Sequence, residues 1–556
     1  MIRHILSHLI GQSLVAAQAA GDLPLIELPD DMAVERPQKE GVGDLTTTLS
    51  LKMAKQARMA PLKIAAVIVK HLPQSDVLGR VEVAPPGFIN ITLSDAWLAQ
   101  QVATIVAAGD AFGRANLGKG RRVQVEYVSA NPTGPLSVGS GRNAVLGDSV
   151  ANILDRAGYS VQREFYINDA GTQVTHFNES LFARYAQALG SSEEQVPENG
   201  YHGDYMVELG QQLVTEFGDR YLKMPRADAM RAVGDWGTGR VLESYREDLG
   251  LIGLRFDNWF SERSLYDSGL FNRLLAELEQ KGYTAERDGA TWFSSTNLGE
   301  DKDNVIVRSA GRGPTYFASD IAYHYDKFVL RGFDWVIDVW GADHQGHVSR
   351  MKTAVSAFGV EPDRLTVLLY QLVTVKRGGQ VVRMSRRRGE IISLREVVDE
   401  VGADAVRYFL LARSADAQMD FDLQLAKEES AENPVYYIQY AYARIASILR
   451  NAGDLADGTG DLSLLTGEPE QALLRKMIEL PEIIEKAAAN LEPHHMPHYA
   501  VELATAFHAF YKQCRVLSSD PADTAISKAR LRLVQAAGVV FKNTLRTMGM
   551  SVPEHM

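Results

Sequence analysis

Cysteine is almost missing from this chain, which has Cys514 as its single cysteine among 556 residues. One cysteine cannot form an internal disulfide or build a cysteine-based zinc site, and its scarcity fits a reducing compartment. The chain also lacks any stretch that approaches the roughly 20 apolar residues of a membrane span, because Ser7, His8 and Gln12 interrupt the apolar segment near the amino terminus. We therefore expect a cytoplasmic protein with no membrane partner.

Positively charged residues are fewer than negatively charged ones. The chain has 58 Lys and Arg residues and 70 Asp and Glu residues, which give a net charge of −12. This balance argues against indiscriminate coating of nucleic acid, so any RNA contact must use a local basic surface, and no DNA partner is expected. Hydrophobic residues make up 46% of the chain. With this length, they are enough to build roughly three or four domains.

The segment Val123–Asn143 predicts a strand joined to a helix by a glycine-rich turn. Apolar and polar residues alternate up to Tyr127, and apolar residues then recur at helical spacing over Leu146–Leu154. With the strand-like run that begins at Val161, this makes a βαβ unit whose turn lies at the carboxyl end of its first strand. The turn either holds phosphates through free amides at the helix start or is an ordinary turn between core elements. The glycines that would admit a phosphate are Gly134, Gly139 and Gly141.

A second informative segment is cationic. Leu365–Val375 reads as one buried strand, Gly378-Gly379 as a tight turn and Val381-Val382 as the return strand. Four arginines follow within six positions, and such charges repel one another unless an anion or solvent intervenes. The loop either neutralises a leaving pyrophosphate or is a solvated basic turn. We call its residues the arginine loop: Arg383, Met384, Ser385, Arg386 and Arg387.

Several segments, spread over the whole chain, together resemble the arginyl-tRNA synthetases of class I. The segment Ala130–Gly141, which we call the signature turn, is similar to the family segment that carries the HIGH motif. The arginine loop is similar to the family's KMSKS loop. The order and spacing of the segments carry the resemblance. Further similar segments are Tyr166–Gly171, Gly341–His347, Asp420–Asp422 and Asn433–Arg444.

Three positions depart from the family pattern. Ser137 and Ser140 stand where the family has two histidines, and Arg386 stands where its loop has a lysine. The histidines would donate hydrogen bonds to ATP phosphates, and loss of such a donor costs on the order of a hundredfold in rate. A serine hydroxyl still donates one hydrogen bond, directly or through water, so weakened and lost activity are both compatible with the sequence. The resemblance implies catalytic roles for Ser137, Ser140, Arg383, Ser385, Arg386 and Arg387.

The resemblance also implies that the substrates are L-arginine, ATP and tRNA(Arg). Carboxylate and amide oxygens suit the planar guanidinium, although each acidic candidate could instead be a surface or structural acid. His344 and His347 could suggest a metal site, but no further ligand cluster is evident, and Mg2+ would be held largely by ATP phosphates. The implied arginine contacts are Glu126, Ser129, Asn131, Tyr316, Asp320 and His344, and the implied ATP contacts are Gly134, Gly139, Gly141, His347 and Met384.

The implied reaction is ATP-dependent ligation of L-arginine to tRNA(Arg) through an arginyl-adenylate. A non-catalytic relative that binds tRNA, arginine or a protein partner is the alternative favoured by Ser137 and Ser140. A nucleotidyltransferase of the same fold acting on another substrate is a third reading, but it leaves the helical carboxyl-terminal region without a role. The retained Glu126, Asn131 and Asp320 favour the ligase.

The expected fold is α/β, with a Rossmann-type parallel-sheet catalytic domain, a small N-terminal α/β domain and a C-terminal all-α anticodon-binding bundle. Tyr436 and Tyr440 lie on one face of a predicted helix and could stack on unpaired bases or pack between helices. We expect a monomer. The predicted divisions are a tRNA-contacting domain at 1–110, a catalytic domain at 111–390 with a helical insertion at 171–303, a connecting segment at 391–430 and the bundle at 431–556.

Overall fold

The computed structural model describes residues 2–29, 32–37, 41–308, 313–382 and 392–556. The arginine loop, with Arg383, Met384, Ser385, Arg386 and Arg387, lies outside the described residues. The residues that flank it, Val382 and Ile392, are both described.

The first part of the chain forms a small antiparallel sheet packed against helices. Its elements are α1 (Ile2–Ala19), β1 (Val34–Glu35), β2 (Leu45–Thr47), α2 (Leu49–Ala57), α3 (Pro61–Lys70), β3 (Leu78–Ala84), β4 (Phe88–Leu93) and α4 (Asp95–Ala108). The strand order is β1-β2-β4-β3. Helix α1 buries Leu6, Ile10 and Leu14 against the neighbouring elements because these residues recur at helical spacing.

The central part of the chain alternates strands and helices. Its elements are β5 (Arg122–Glu126), α5 (Val138–Arg156), β6 (Ser160–Ile167), α6 (Thr172–Ala188), α7 (Asp204–Phe217), α8 (Arg226–Leu251), β7 (Asn258–Ser261), α9 (Arg263–Asp267), α10 (Leu270–Gln280), β8 (Thr284–Arg287), β9 (Ala290–Phe293), β10 (Asn304–Val307), α11 (Tyr316–Tyr325), β11 (Trp335–Gly341), α12 (Val348–Ser356) and β12 (Leu365–Tyr370).

A five-stranded parallel sheet organises this part, with the strand order β12-β11-β5-β6-β7. Helix α5 connects β5 to β6, which confirms the predicted βαβ unit. After β5 the chain adds β6 and β7 on one side of this strand, and it later adds β11 and β12 on the other side. The strand order therefore reverses between β5 and β11. Open sheets of this kind bind ligands at the carboxyl ends of the strands beside such a reversal.

Two details differ from the sequence-based expectations. The region 171–303 is not purely helical, because after Leu251 it also contributes β7 to the parallel sheet and the β8–β9 hairpin. The predicted single strand Leu365–Val375 is wrong, because the chain leaves the sheet at Gln371-Leu372. The Gln371 carbonyl accepts a hydrogen bond from the buried Arg142 guanidinium at 2.5 Å, which fixes the break between β12 and the next strand.

The last part of the chain combines a short sheet with a helical bundle. Its elements are β13 (Val373–Arg377), β14 (Gln380-Val381), α13 (Leu394–Val401), α14 (Ala403–Leu411), β15 (Met419–Asp422), α15 (Leu423–Ala426), α16 (Pro434–Ala452), α17 (Glu468–Met477), α18 (Leu480–Asn490), α19 (His495–Gln513) and α20 (Thr524–Thr547). Residues 423–556 are all described and contain helices without strands. The three-part fold expected from the sequence is confirmed.

Candidate active site

The candidate site lies at the carboxyl edge of the parallel sheet, where β5 ends at Glu126. Val128 and Ser129 adopt left-handed backbone conformations, with φ of 70° and 42°, and so turn the chain away from the sheet. Asn143 on α5 holds this bend. Its side-chain oxygen accepts a hydrogen bond from the Val128 amide at 2.6 Å, and its amide donates to the Val339 carbonyl at 2.8 Å. The signature turn therefore starts from a fixed position above the sheet.

The two predicted catalytic serines lie together at the start of α5. Ser137 is the N-cap residue, and its Oγ accepts a hydrogen bond from the Ser140 amide at 3.3 Å. The two hydroxyl oxygens are also 3.3 Å apart. Both side chains are half-buried. Backbone amides at a helix start favour an anion, so the arrangement suits a phosphate.

The carboxyl-terminal flank of the arginine loop is bound to the signature turn. The Val138 amide donates to the Ile392 carbonyl at 3.3 Å, and the Leu394 amide donates to the Leu136 carbonyl at 2.8 Å. Ser393 then caps α13 in a capping box with Glu396. The chain therefore returns from the arginine loop directly beside the two serines.

The three predicted phosphate-contacting glycines have different surroundings. A β-carbon on Gly134 would lie 3.0 Å from the Tyr205 ring, and one on Gly141 would lie 2.9 Å from the Leu394 side chain. Protein packing therefore explains why those two positions lack a side chain. A β-carbon on Gly139 would have Ser137 Oγ as its nearest neighbour, at 3.5 Å. A phosphate role for the three glycines stays a prediction.

A cavity of about 1370 Å³ opens in front of the signature turn. One wall is the turn itself, and the other is formed by the start of α7, the segment before it and α8. The lining residues are Ala130, Asn131, Thr133, Gly134, Pro135, Leu136, Ser137, Ser140, Gln173, Glu198, Asn199, Gly200, Tyr201, His202, Gly203, Tyr205 and Tyr245. Two of the predicted catalytic residues and two of the predicted substrate contacts face this space.

Glu126 is held in a buried ionic cluster. Its Oε2 accepts a hydrogen bond from Lys327 Nζ at 2.5 Å, and its Oε1 accepts one from the Ser129 hydroxyl at 2.8 Å. Lys327 also donates to Asp338 at 2.8 Å. His324 contacts the Asp338 carboxylate at 2.8 Å through Nε2 and the Asp320 carbonyl at 2.8 Å through Nδ1. Both ring nitrogens of His324 are thus occupied by oxygen partners, which fixes the orientation of the ring.

The cluster therefore places the cation Lys327 between two carboxylates, with the His324 ring against the second. Burial raises the pKa of Glu126 above its ordinary value, although Lys327 opposes that shift. Burial would also raise the pKa of Asp338, but the charges of Lys327 and His324 prevail and lower it. Because both Glu126 oxygens have a donor, the cluster holds this carboxylate in one orientation at the sheet edge.

Asp320 and His347 form a second pair at the same edge. His347 Nε2 lies 2.9 Å from Asp320 Oδ2, and the His347 ring stacks on Trp340 with 5.7 Å between ring centroids. Tyr316, one turn before Asp320 on α11, is more exposed, with 54% of its surface accessible. His344 is largely exposed and lies 3.7 Å from Asp343. The structure thus brings His347 to the predicted arginine contact Asp320.

Asn131 faces the opening rather than the buried carboxylates. Its Nδ2 donates a hydrogen bond to Gln173 Oε1 at 2.5 Å, and both residues line the large cavity. Asn131 therefore lies in the part of the signature turn that borders the cavity.

Glu262 is a candidate that the sequence reasoning missed. It directly follows β7, is 3% exposed, and its Oε2 has no hydrogen-bond partner within the described structure. Burial, with the nearby carboxylates of Asp320 and Asp169, raises the pKa of Glu262 to about 7, although the Ser319 hydroxyl opposes the shift. Its position at a strand end is the signal that could have found it, but β7 was assigned to a helical insertion.

Three family descriptions match consecutive parts of the chain. "Arginyl tRNA synthetase N terminal domain" matches residues 4–93, "tRNA synthetases class I (R), catalytic domain" matches 101–197 and 240–422, and "DALR anticodon binding domain" matches 438–556. The chain belongs to the arginyl-tRNA synthetase family. The class I catalytic match includes the signature turn, Glu262, Asp320 and His347, so these residues lie within the synthetase catalytic region.

Similar proteins support the assignment to the arginyl-tRNA synthetases. An arginine–tRNA ligase of Dehalococcoides mccartyi is 54% identical over 557 residues, which cover 100% of this chain and 99% of that protein. One of Carboxydothermus hydrogenoformans is 47% identical over 563 residues, with full coverage of both chains. The solved arginyl-tRNA synthetase of Thermus thermophilus superposes with a TM-score of 0.78 at 23% identity, with full coverage of both chains, and so supports the fold.

The described part of this synthetase has two further properties. No group of three or more His, Cys, Asp or Glu side chains among the described residues is arranged to hold a metal ion. No helix in the described ranges combines the length and apolar character needed to cross a membrane.

A second cavity lies in the helical bundle of the synthetase. Tyr436 and Tyr440 are one turn apart on α16, and their ring centroids are 5.8 Å apart with nearly parallel planes. The Arg444 guanidinium lies 4.6 Å from the Tyr440 ring centroid and 4.1 Å from that of Tyr511. The cavity beside them has a volume of about 800 Å³ and includes the cationic residues Arg444, Arg450, Lys512 and Arg515 in its lining. Aromatic and cationic side chains of this kind suit an unpaired nucleotide.

Proposed function

We propose that the chain ligates L-arginine to tRNA(Arg) in the crevice between the signature turn and the edge of the parallel sheet. The observation that carries this proposal is that a helix start that suits phosphate and the carboxylates Glu126, Glu262 and Asp320 that suit a guanidinium lie at the same carboxyl edge of the parallel sheet. Hydrogen bonds from the Val138 amide to the Ile392 carbonyl and from the Leu394 amide to the Leu136 carbonyl bring the flank of the arginine loop to the start of α5.

Arginine would bind at the carboxylate side of the crevice. Glu126 and Asp320 would accept hydrogen bonds from the guanidinium, because a carboxylate oxygen that has one partner can still accept another. Glu262 adds an unpartnered acceptor beside Asp320. Asn131 and Ser129 would hold the α-amino end, and Tyr316 and His344 would close the more exposed side.

ATP would bind along the signature turn. The amides at the start of α5 and the hydroxyls of Ser137 and Ser140 would contact its phosphates, with Gly134, Gly139, Gly141 and His347 beside them. Met384 would contact the nucleotide, and Arg383, Ser385, Arg386 and Arg387 would neutralise the departing pyrophosphate. Mg2+ would enter on the phosphates of ATP, whose oxygens are the ligands it prefers.

The chemistry requires positioning more than covalent catalysis. A carboxylate oxygen of arginine attacks the α-phosphorus of ATP, the bond to the β-phosphate oxygen breaks, and pyrophosphate leaves. A terminal ribose hydroxyl of tRNA then attacks the carbonyl carbon of the arginyl-adenylate, loses its proton and displaces AMP. The protein holds the reacting groups in line and stabilises the charge that develops.

The bundle would bind the anticodon. Tyr436 and Tyr440 would stack on unpaired bases, and the cationic lining of the cavity beside Tyr440 would neutralise the tRNA backbone. In the same proposal, residues 1–110 contact tRNA, 111–390 are catalytic, 391–430 connect and 431–556 form the bundle. The monomeric state and the cytoplasmic location stay predictions.

The serines at the signature turn favour a second candidate, a weakened or inactive relative that still binds tRNA. Arginine-dependent exchange of pyrophosphate into ATP, run with and without tRNA(Arg), separates the two. The ligase proposal expects exchange and the formation of arginyl-tRNA. The absence of both, together with tight tRNA binding, would leave the inactive relative.

A further inference from the structure

Two phenol hydroxyls from the helical region after β6 reach the backbone of the signature turn. The Tyr245 hydroxyl, on α8, lies 2.8 Å from the Asn131 carbonyl oxygen and 2.7 Å from that of Gly134. The Tyr205 hydroxyl, at the start of α7, donates to the Thr133 carbonyl at 2.7 Å. Three carbonyls within four consecutive positions therefore lie within hydrogen-bond distance of two phenol hydroxyls, and the one Tyr245 proton is shared between two of them.

These contacts matter because the signature turn has little regular structure of its own. Between the end of β5 and the start of α5 the backbone forms no helix and only an isolated bridge, so ladder hydrogen bonds do not fix it. A buried carbonyl without a donor is costly, and a donor in a fixed place determines where that carbonyl lies. Tyr245 is 1% exposed and is itself held in the α8 packing.

The Tyr205 ring adds a steric constraint to its hydrogen bond. A β-carbon on Gly134 would lie only 3.0 Å from the Tyr205 ring, so the turn and the ring pack directly on each other. Burial raises the pKa of both phenols above the ordinary value, which keeps the hydroxyl protons in place as donors. Both tyrosines also line the large cavity.

We propose that Tyr245 and Tyr205 are positioning residues that hold the backbone of residues 131–134 in register with both substrates. Asn131 follows the end of β5 and lines the cavity, whereas Gly134 begins the approach to the phosphate side. The single Tyr245 hydroxyl lies within hydrogen-bond distance of both carbonyls. The helices α7 and α8 thus set the distance between the arginine contacts and the helix start at Ser137. This inference rests on the ligase function proposed above.

The test compares Tyr245→Phe and Tyr205→Phe with Tyr185→Phe. Tyr185 is a matched control because it is buried on α6, and its hydroxyl also donates to a backbone carbonyl, that of Gly218, at 2.6 Å. Each variant loses one hydroxyl that donates to a backbone carbonyl, so all three should lower the melting temperature by similar amounts. Only Tyr245→Phe and Tyr205→Phe, which lose contacts to the signature turn, should change the kinetics of pyrophosphate exchange measured with arginine, ATP and tRNA(Arg).

The expected loss for Tyr245→Phe is about tenfold in kcat/KM for ATP, since small displacements of a reacting group cost up to a hundredfold. The loss should be divided between a higher KM for ATP and a lower kcat, while the Kd for tRNA stays unchanged. Tyr205→Phe should show a smaller loss in the same direction. A lower folded fraction would reduce kcat alone, so the rise in KM separates positioning from general destabilisation.

Two results would overturn the inference. One is an unchanged KM for ATP in both turn variants. The other is an equal rise in KM in Tyr185→Phe, which would mean that any lost hydroxyl in this region has the effect. Absence of exchange in the unmodified protein would instead contradict the ligase function itself, so the two failures are distinguishable.

Discussion

The arginine side and the phosphate side of the crevice are built in different ways. On the arginine side, Glu126 belongs to a cluster with Lys327, Asp338 and His324 in which each carboxylate already has a cationic partner. On the phosphate side, Ser137 and Ser140 are half-buried and contact mainly each other and the helix start. One side is thus fixed by charges buried with it, and the other by hydrogen bonds to the backbone of a turn.

This difference predicts where the chain tolerates amino-acid substitutions. A buried ionic cluster fails as a unit, because removing one charge leaves its partner unpaired in a low-dielectric interior. A half-buried hydroxyl can be replaced or supplemented by water at a modest energetic cost. We therefore expect substitutions on the arginine side to be more damaging than those on the phosphate side.

Lys327→Met should produce the largest effect. It leaves Glu126 and Asp338 facing each other without their shared cation, so the free energy of unfolding should fall by about 3–5 kcal/mol, as measured by urea denaturation. Lys352→Met is the control, because Lys352 pairs at 3.5 Å with the fully exposed Asp363. A Lys327→Met variant as stable as this control would show that the cluster does not fix the arginine side.

Asp320→Asn should come next. It removes a carboxylate that we propose for the guanidinium and also weakens the contact with His347. We expect kcat/KM for arginine to fall about a hundredfold, as for loss of one member of a partly desolvated charge pair. Exchange assays at varied arginine measure this, with Asp343→Asn as the exposed control. A loss confined to KM for ATP would place Asp320 on the phosphate side instead.

Glu262→Gln should stabilise the protein in a pH-dependent way. Its pKa of about 7 in the folded state lies above the ordinary 4.5, so folding favours the protonated form. The wild type therefore loses stability as pH rises from 4.5 to 7, whereas the glutamine variant does not. We expect the variant to gain about 2 kcal/mol relative to wild type between pH 5 and pH 8, by urea denaturation at both values. A stability difference that is the same at both pH values would mean that Glu262 is ionised throughout, and the exposed Glu247→Gln should show no such trend.

Ser137→His combined with Ser140→His should have the smallest energetic effect. Two histidines would add donors for developing phosphate charge, and we expect exchange to rise about tenfold. The same change removes the N-cap of α5 and should lower stability by about 1 kcal/mol. Alanine at both positions is the matched control and should lower exchange. Unchanged exchange in both double variants would show that the side chains at these positions do not contact ATP.

The sequence predicted the positions of the strand and helix that form the site, but it did not predict the contacts that explain particular residues. Alternation up to Tyr127 and the glycines after it predicted where the strand ends and α5 begins, and local spacing is sufficient for that. The reasons for Gly134 and Gly141 were not visible, since Tyr205 and Leu394 approach them from distant parts of the chain.

Buried charge partners were also beyond a single sequence. Lys327 lies in a wide helical turn that continues α11 over Asp326–Leu330, and nothing in its neighbours indicates that it reaches Glu126. Glu262 was missed because β7 is only four residues long and follows three helices. Pairing with β6 creates this strand, and such pairing depends on tertiary contacts more than on intrinsic propensity.

The proposed reaction requires both substrates to bind between the signature turn and the sheet edge. A structure of the protein with arginine and a non-hydrolysable ATP analogue tests this directly. We predict phosphate oxygens within about 3 Å of donors in the Ser137–Gly141 segment, and the guanidinium within the same distance of Asp320 and Glu126. A nucleotide bound elsewhere, with the crevice filled only by water, would contradict the account.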